Sequence, residues 1–136
     1  MTVIVDTNIL FSALLKEKSR LRDAFFEKGI SFYAPNYLFI ELFRYKEKIL
    51  KFGKLSDTDF YDAFNGLIEK IQFVQIELIS TENRQKAYDL CREADVKDTL
   101  FVALTLELNG ILWTGDKKLK KHLSEKGFTR FFIAAV

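Results

Sequence analysis

Four acids are spaced so that a chain of alternating strands and helices could gather them. Asp6 directly follows the apolar run Val3-Ile4-Val5, and Asp116 follows Ile111-Leu112-Trp113 after only Thr114 and Gly115. Asp98 opens the stretch Asp-Thr-Leu-Phe-Val-Ala-Leu, which feeds the second of those runs. Glu41 stands inside Tyr-Leu-Phe-Ile-Glu-Leu-Phe-Arg-Tyr at residues 37–45, which is apolar nearly all round, so its carboxylate needs a partner or a metal. Carboxylates brought together repel one another unless they are protonated or neutralised by a cation. Hard oxygen ligands without His or Cys select Mg²⁺ or Mn²⁺, one or two per site. Such ions activate water and stabilise charge on a phosphate, the chemistry of phosphodiester hydrolysis. His122 is the only histidine, which excludes a metal-free ribonuclease built on paired histidines.

Each acid also has a plainer role. Asp6 and Asp116 fit helix N-caps. Asp98 fits a first helical turn, where the helix dipole stabilises an acid by roughly 0.3–1 kcal/mol. Glu41 can pair with Arg44 at the i,i+3 spacing. Asp95 is either a fifth acid at the rim or simply solvated. Thr114 can hydrogen-bond a neighbouring carboxylate, Gly115 supplies a tight turn, and Asn8 is a turn former or a group that positions water. Arg44, Lys117 and Lys118, with Lys120 and Lys121, can hold a phosphate backbone or form a solvated helix face. Trp113 and the phenylalanines read as core.

The elements that must position these residues alternate. Short apolar runs at residues 3–5, 31–34, 73–78, 111–113 and 131–136 read as strands. Helices are expected from Asp6 through Leu14, over residues 19–28 with Gly29 as the stop, over 36–51 capped by Asn36, and from a Ser56 cap with Asp59 three residues on. Further helices are expected at 81–94, 98–108 and 116–123. That order predicts an α/β fold, one domain with a parallel sheet flanked by helices, whose ligand site lies at the carboxyl ends of the strands.

Composition sets the outer bounds. The 136 residues are 49% hydrophobic, with 14 Phe and a single Pro, as expected of one globular domain without linkers or repeats. Cys91 is the only cysteine, so no internal disulfide can form. No run is long enough to span a bilayer and the start lacks a signal-peptide pattern, so no membrane partner and a cytoplasmic location are expected. The formal charge is +2; with four of the 19 acids committed to metal, 21 bases face 15 acids, leaving +6, which permits a nucleic-acid partner without demanding one.

Taken together, Val-Asp-Thr-Asn-Ile-Leu at residues 5–10, the helical Glu41, Asp98 before its apolar run, and Leu-Trp-Thr-Gly-Asp-Lys-Lys-Leu at 112–119 resemble the PIN domain family, whose best-known small members are the VapC toxins. The resemblance implies a three-layer sandwich in which Asp6, Glu41, Asp98 and Asp116 bind metal and cleave RNA, with Thr114 and Asn8 orienting them. It also implies homodimerisation and, for the toxin branch, a small antitoxin partner. A receiver domain would need a phosphoacceptor Asp where Ile79-Ser80 stands, and an aspartyl phosphatase an acid where Asn8 stands. The remaining competitor is a catalytically silent PIN-like module that binds RNA or protein.

Overall fold

The computed structural model describes residues 1–15, 20–53 and 55–134, with the backbone alone at Phe52. Four parallel strands, β1 (Thr2–Val5), β2 (Ser31–Pro35), β3 (Ile71–Val74) and β4 (Ile111–Trp113), form one sheet in the order β3-β2-β1-β4. Helices α1 (Thr7–Leu14) and α2 (Arg20–Ala24) join β1 to β2, and α3 (Tyr37–Phe52) and α4 (Asp57–Lys70) join β2 to β3. Next, α5 (Thr81–Cys91) and α6 (Thr99–Glu107) lead to β4, and α7 (Lys117–Glu125) follows it. The result is a three-layer α/β sandwich.

The central strand explains the layering. Val3, Ile4 and Val5 are all fully buried, so both faces of β1 are covered, as an unalternating run demands. Burying each such side chain contributes roughly 1.5–3 kcal/mol. Helix α6 buries Phe101, Val102, Ala103 and Leu104 in succession, and its Thr105 hydroxyl donates to the Phe101 carbonyl at 2.8 Å. At Gly110 a Cβ would lie 2.7 Å from Ile4 Cδ1 and 2.8 Å from the Thr2 carbonyl oxygen, so only glycine lets β4 enter beside β1. From β1 to β3 the chain steps one way across the sheet, then β4 returns to the other side of β1. The reversal leaves a crevice at the carboxyl ends of β1 and β4, where Asp6 and Asp116 stand.

Several local expectations are corrected. The run at 73–78 is not one strand: β3 begins at Ile71, directly after α4, and ends at Val74, before a 3₁₀ turn over Ile76–Leu78. Pairing with β2 sets this, with Phe32 opposite Ile71 and Pro35 opposite Val74. Among the described residues the last run forms a single bridge, Phe131 with Leu112, because β4 is three residues long and offers little to pair with. Residues 135–136 of that run, and residue 19 of the helix expected at 19–28, lie outside the described residues. Asn36 makes no capping bond with its side chain; its backbone N–H donates instead to the Val74 carbonyl at 2.9 Å. Ser56 does cap, accepting from the Asp59 N–H at 3.2 Å. Helix α3 is not buried all round, since Ile40 and Phe43 are 53% and 75% exposed. Among the described residues, no helix is long and apolar enough to cross a membrane.

Candidate active site

Asp6 and Asp116 are caps before they are anything else. Asp6 leaves β1 in extended conformation, and its Oδ1 accepts from the Ile9 N–H at 2.9 Å, starting α1. Asp116 does the same for α7, accepting from the Leu119 N–H at 3.0 Å. Each cap satisfies a helix donor, and it also fixes a carboxylate at the end of a strand. Thr114 ties the two together. Its side chain hydrogen-bonds the Asp6 carboxylate, and its Oγ1 accepts from the Asp116 N–H at 3.1 Å. Gly115 is not needed for a left-handed turn: it is exposed, its φ is not positive, and a Cβ there would meet nothing closer than 3.8 Å.

Asp98 is held differently. It opens α6 without a capping bond from its side chain, at the end of a 3₁₀ turn over Val96–Asp98 that Asp95 caps, its Oδ1 accepting from the Lys97 N–H at 2.9 Å. On the opposite side Glu41, half-buried on α3, accepts from the Thr7 hydroxyl at 2.7 Å. The anticipated Glu41–Arg44 pair does not form. Among the described residues, none of Asp6, Glu41, Asp98 or Asp116 has a lysine or arginine within ion-pair distance.

The electrostatics follow from burial and like charge. Asp6 is 4% exposed, and loss of water raises its pKa; Asp116 and Glu41 push the same way, while the Thr114 and Ile9 hydrogen bonds pull against them. Burial, then Asp95, then Asp6, Asp116 and Glu41 lift the Asp98 carboxyl to about 7. Nearby, Cys91 is fully buried and its thiol is pushed up to about 12, first by burial and next by Asp98, so it is an inert core residue.

Asp6, Glu41 and Asp98 line one cleft of about 510 Å³, with Asn8 at its edge and Asp95 on its rim. Asp116 does not line that cleft but acts on Asp6 and Asp98 through space. Among the described residues, no three acids are drawn into a ready metal shell; the carboxylates ring the cleft instead. The donor set fits a hard divalent cation all the same. It is all oxygen, partly desolvated, and devoid of a competing cation at ion-pair distance.

The cationic residues read as able to hold a phosphate backbone lie outside the cleft lining. Arg44, Lys117 and Lys118 are exposed and do not line the cleft. Lys48 and Lys97 line it instead, together with Phe11 and Tyr45. The signal for two of these was available, since Tyr45 and Lys48 follow Glu41 at i+4 and i+7, on the same side of α3. Thr7, the partner of Glu41, sits beside Asp6 in the sequence, and nothing in the sequence alone singled it out.

A PIN domain family model matches residues 4–127, nearly the whole described chain. No curated protein matches the sequence significantly.

Proposed function

Since the chain belongs to the PIN domain family, whose members are generally nucleases, we propose that it is an endoribonuclease that hydrolyses RNA phosphodiester bonds with the help of Mg²⁺ or Mn²⁺. One observation supports this most: two buried or half-buried acids, Asp6 and Asp98, share a cleft with Glu41 and have no cation at ion-pair distance among the described residues. A carboxylate desolvated among its own kind costs stability in the free protein, and an enzyme keeps it there for the charge it will hold.

Asp6, Glu41, Asp98 and Asp116 would hold the cation. The chemistry a bound Mg²⁺ or Mn²⁺ would supply there is a lowered water pKa and compensation of charge on the phosphate. The remaining work belongs to the chain. Thr114 fixes the Asp6 carboxylate and the Asp116 backbone, while Thr7 fixes Glu41. Asp98, free of capping, can turn its oxygens to the cleft. Asn8 at the edge can hold a water. Lys48 and Lys97 draw the phosphate backbone toward a cleft whose acids alone would repel it.

The deciding experiment is cleavage of a mixed RNA pool with Mg²⁺ or Mn²⁺, beside chelator and Asp98→Asn controls. Cutting that vanishes in both controls is the expected result. No cutting, together with a melting temperature unmoved by Mn²⁺, would leave a binding module rather than an enzyme. The toxin-type subclass rests on the VapC-like sequence pattern. It is tested by whether the chain, expressed alone, arrests growth and whether the Asp98→Asn variant does not.

A further inference from the structure

The same cleft continues past the acids. Glu41, Tyr45 and Lys48 lie within about 60° of one another around α3, Tyr45 and Lys48 rising roughly 6 and 10 Å above Glu41 along its axis. All three line the cleft. Across from Tyr45 stands Phe11 of α1, its ring centroid 5.6 Å away at an interplanar angle of 73°. Both rings are only half-buried, unlike Phe25, Phe32 and Trp113, whose mutually tilted rings are sealed in the core. Lys48 is exposed and, among the described residues, has no carboxylate within ion-pair distance. An aromatic surface followed by an unpaired ammonium, one helical turn from a carboxylate cluster, matches the recurring composition of single-strand binding sites.

Resting on the nuclease reading above, we propose that Phe11, Tyr45 and Lys48 form a nucleotide subsite beside the carboxylates. An unpaired base packs on the Phe11–Tyr45 rings, and Lys48 holds the phosphate of that nucleotide. A base inside a duplex is stacked on its neighbours and cannot reach these rings, so the subsite selects single-stranded RNA at a position next to the scissile phosphate. Lys97 adds charge to the cleft, but Phe101, the aromatic nearest it in sequence along the lining, is buried, so the preference lies on the α3 side.

The test uses the Asp98→Asn protein with Mn²⁺, which lets binding be read without cleavage. A fluorescent single-stranded RNA is titrated by anisotropy, and the same strand annealed to its complement serves as comparison. Adding Tyr45→Leu should weaken single-strand binding by roughly 5- to 150-fold and leave duplex binding unchanged. Tyr45→Phe should stay within about threefold of the parent, because the ring is kept. Lys48→Gln, an exposed change that cannot unfold the chain, should flatten the dependence of log affinity on log salt by about 0.7. If Tyr45→Leu fails to fold, Phe11→Leu and Lys48→Gln carry the test. Should Tyr45→Leu and Lys48→Gln bind like the parent while the unsubstituted protein still cuts RNA, the subsite is wrong and the nuclease stands. Absence of RNA binding by the Asp98→Asn protein and of cutting by the unsubstituted protein would sink both.

Discussion

Helix α3 separates two hollows built from similar raw material. On one side Glu41, Tyr45 and Lys48 line the carboxylate cleft of about 510 Å³. On the other, Phe39, Phe43 and Lys46 join Phe60, Tyr61 and Phe64 of α4 around an apolar groove of about 250 Å³. Ile49 lines both. The groove holds aromatics and a lysine, with Lys46 lying 5.0 Å over the Tyr61 ring, so it shares two ingredients of the proposed subsite. It lacks any acid. Rings and cations alone therefore do not make a reactive site; what sets the cleft apart is the carboxylates that the strand ends bring to it. Between the two faces runs the edge that holds α3 in place, Leu38, Leu42 and Ile49, all buried.

The largest effect expected is on the cleft face. Glu41→Gln keeps an acceptor for the Thr7 hydroxyl and so should preserve the fold, yet cleavage should fall by about 10²- to 10³-fold, the usual loss on removing one preorganised charge. Single-turnover cleavage at saturating Mn²⁺ measures it. Retained cutting would mean that Glu41 is only the anchor of Thr7.

Next in size is the edge between the faces. Leu42 is 4% exposed, and Leu42→Ala should cost about 2–5 kcal/mol of folding stability in denaturant titration. Cleavage per folded molecule should hardly change. If stability barely moved while activity collapsed, Leu42 would belong to the site and the division of α3 into faces would be wrong.

How much of this division was legible in the sequence differs by level. The fold was, because β1 and α6 are apolar without alternation and only a doubly covered sheet accommodates such segments. Asp6 and Asp116 were legible as strand-end acids, and the structure shows why their capping and their convergence are compatible: the cap leaves the second oxygen of each carboxylate unused by the helix. The two sides of α3 were not legible. Its apolar residues run nearly all round, and which of them face solvent depends on where α1 and α4 pack, which no local period reveals. Arg44 therefore drew attention as the cation nearest Glu41 in sequence, although Lys48 lies closer to the Glu41 direction around the helix. Lys97 depends on a 3₁₀ turn that the helical expectation at 98–108 did not include. Gly115 was credited with a turn that its backbone does not require.

A smaller effect concerns pH and sharpens the contrast between an acidic and a neutral hollow. Asp98 has a folded-state pKa raised from 3.8 to about 7, and Asp6 is raised as well. Groups raised in this way favour the native state below their unfolded pKa, and that contribution is lost as pH climbs through the folded value. Without divalent cation, the melting temperature should therefore fall between about pH 4 and 7. The decline should be shallower in Asp98→Asn and in protein saturated with Mn²⁺, which neutralises the same charges. A parent curve that matches Asp98→Asn across that window would show that Asp98 is not under the strain its surroundings imply.

The smallest change tests the far face. Phe43 is 75% exposed and borders the groove, so Phe43→Ala removes little buried area and should shift stability by no more than about 0.5 kcal/mol. Cleavage and single-strand binding should be unaltered, because among the described residues no acid lines that groove and the proposed phosphate path follows Lys48. Comparing Phe43→Ala with Tyr45→Leu then sets one aromatic against another two residues along the same helix, on opposite sides of it. Equal losses of RNA binding in both would erase the distinction, since RNA would have to cross α3 and touch both hollows. A loss confined to Tyr45→Leu locates recognition on the face where the carboxylates are, and leaves the groove outside the path of the substrate.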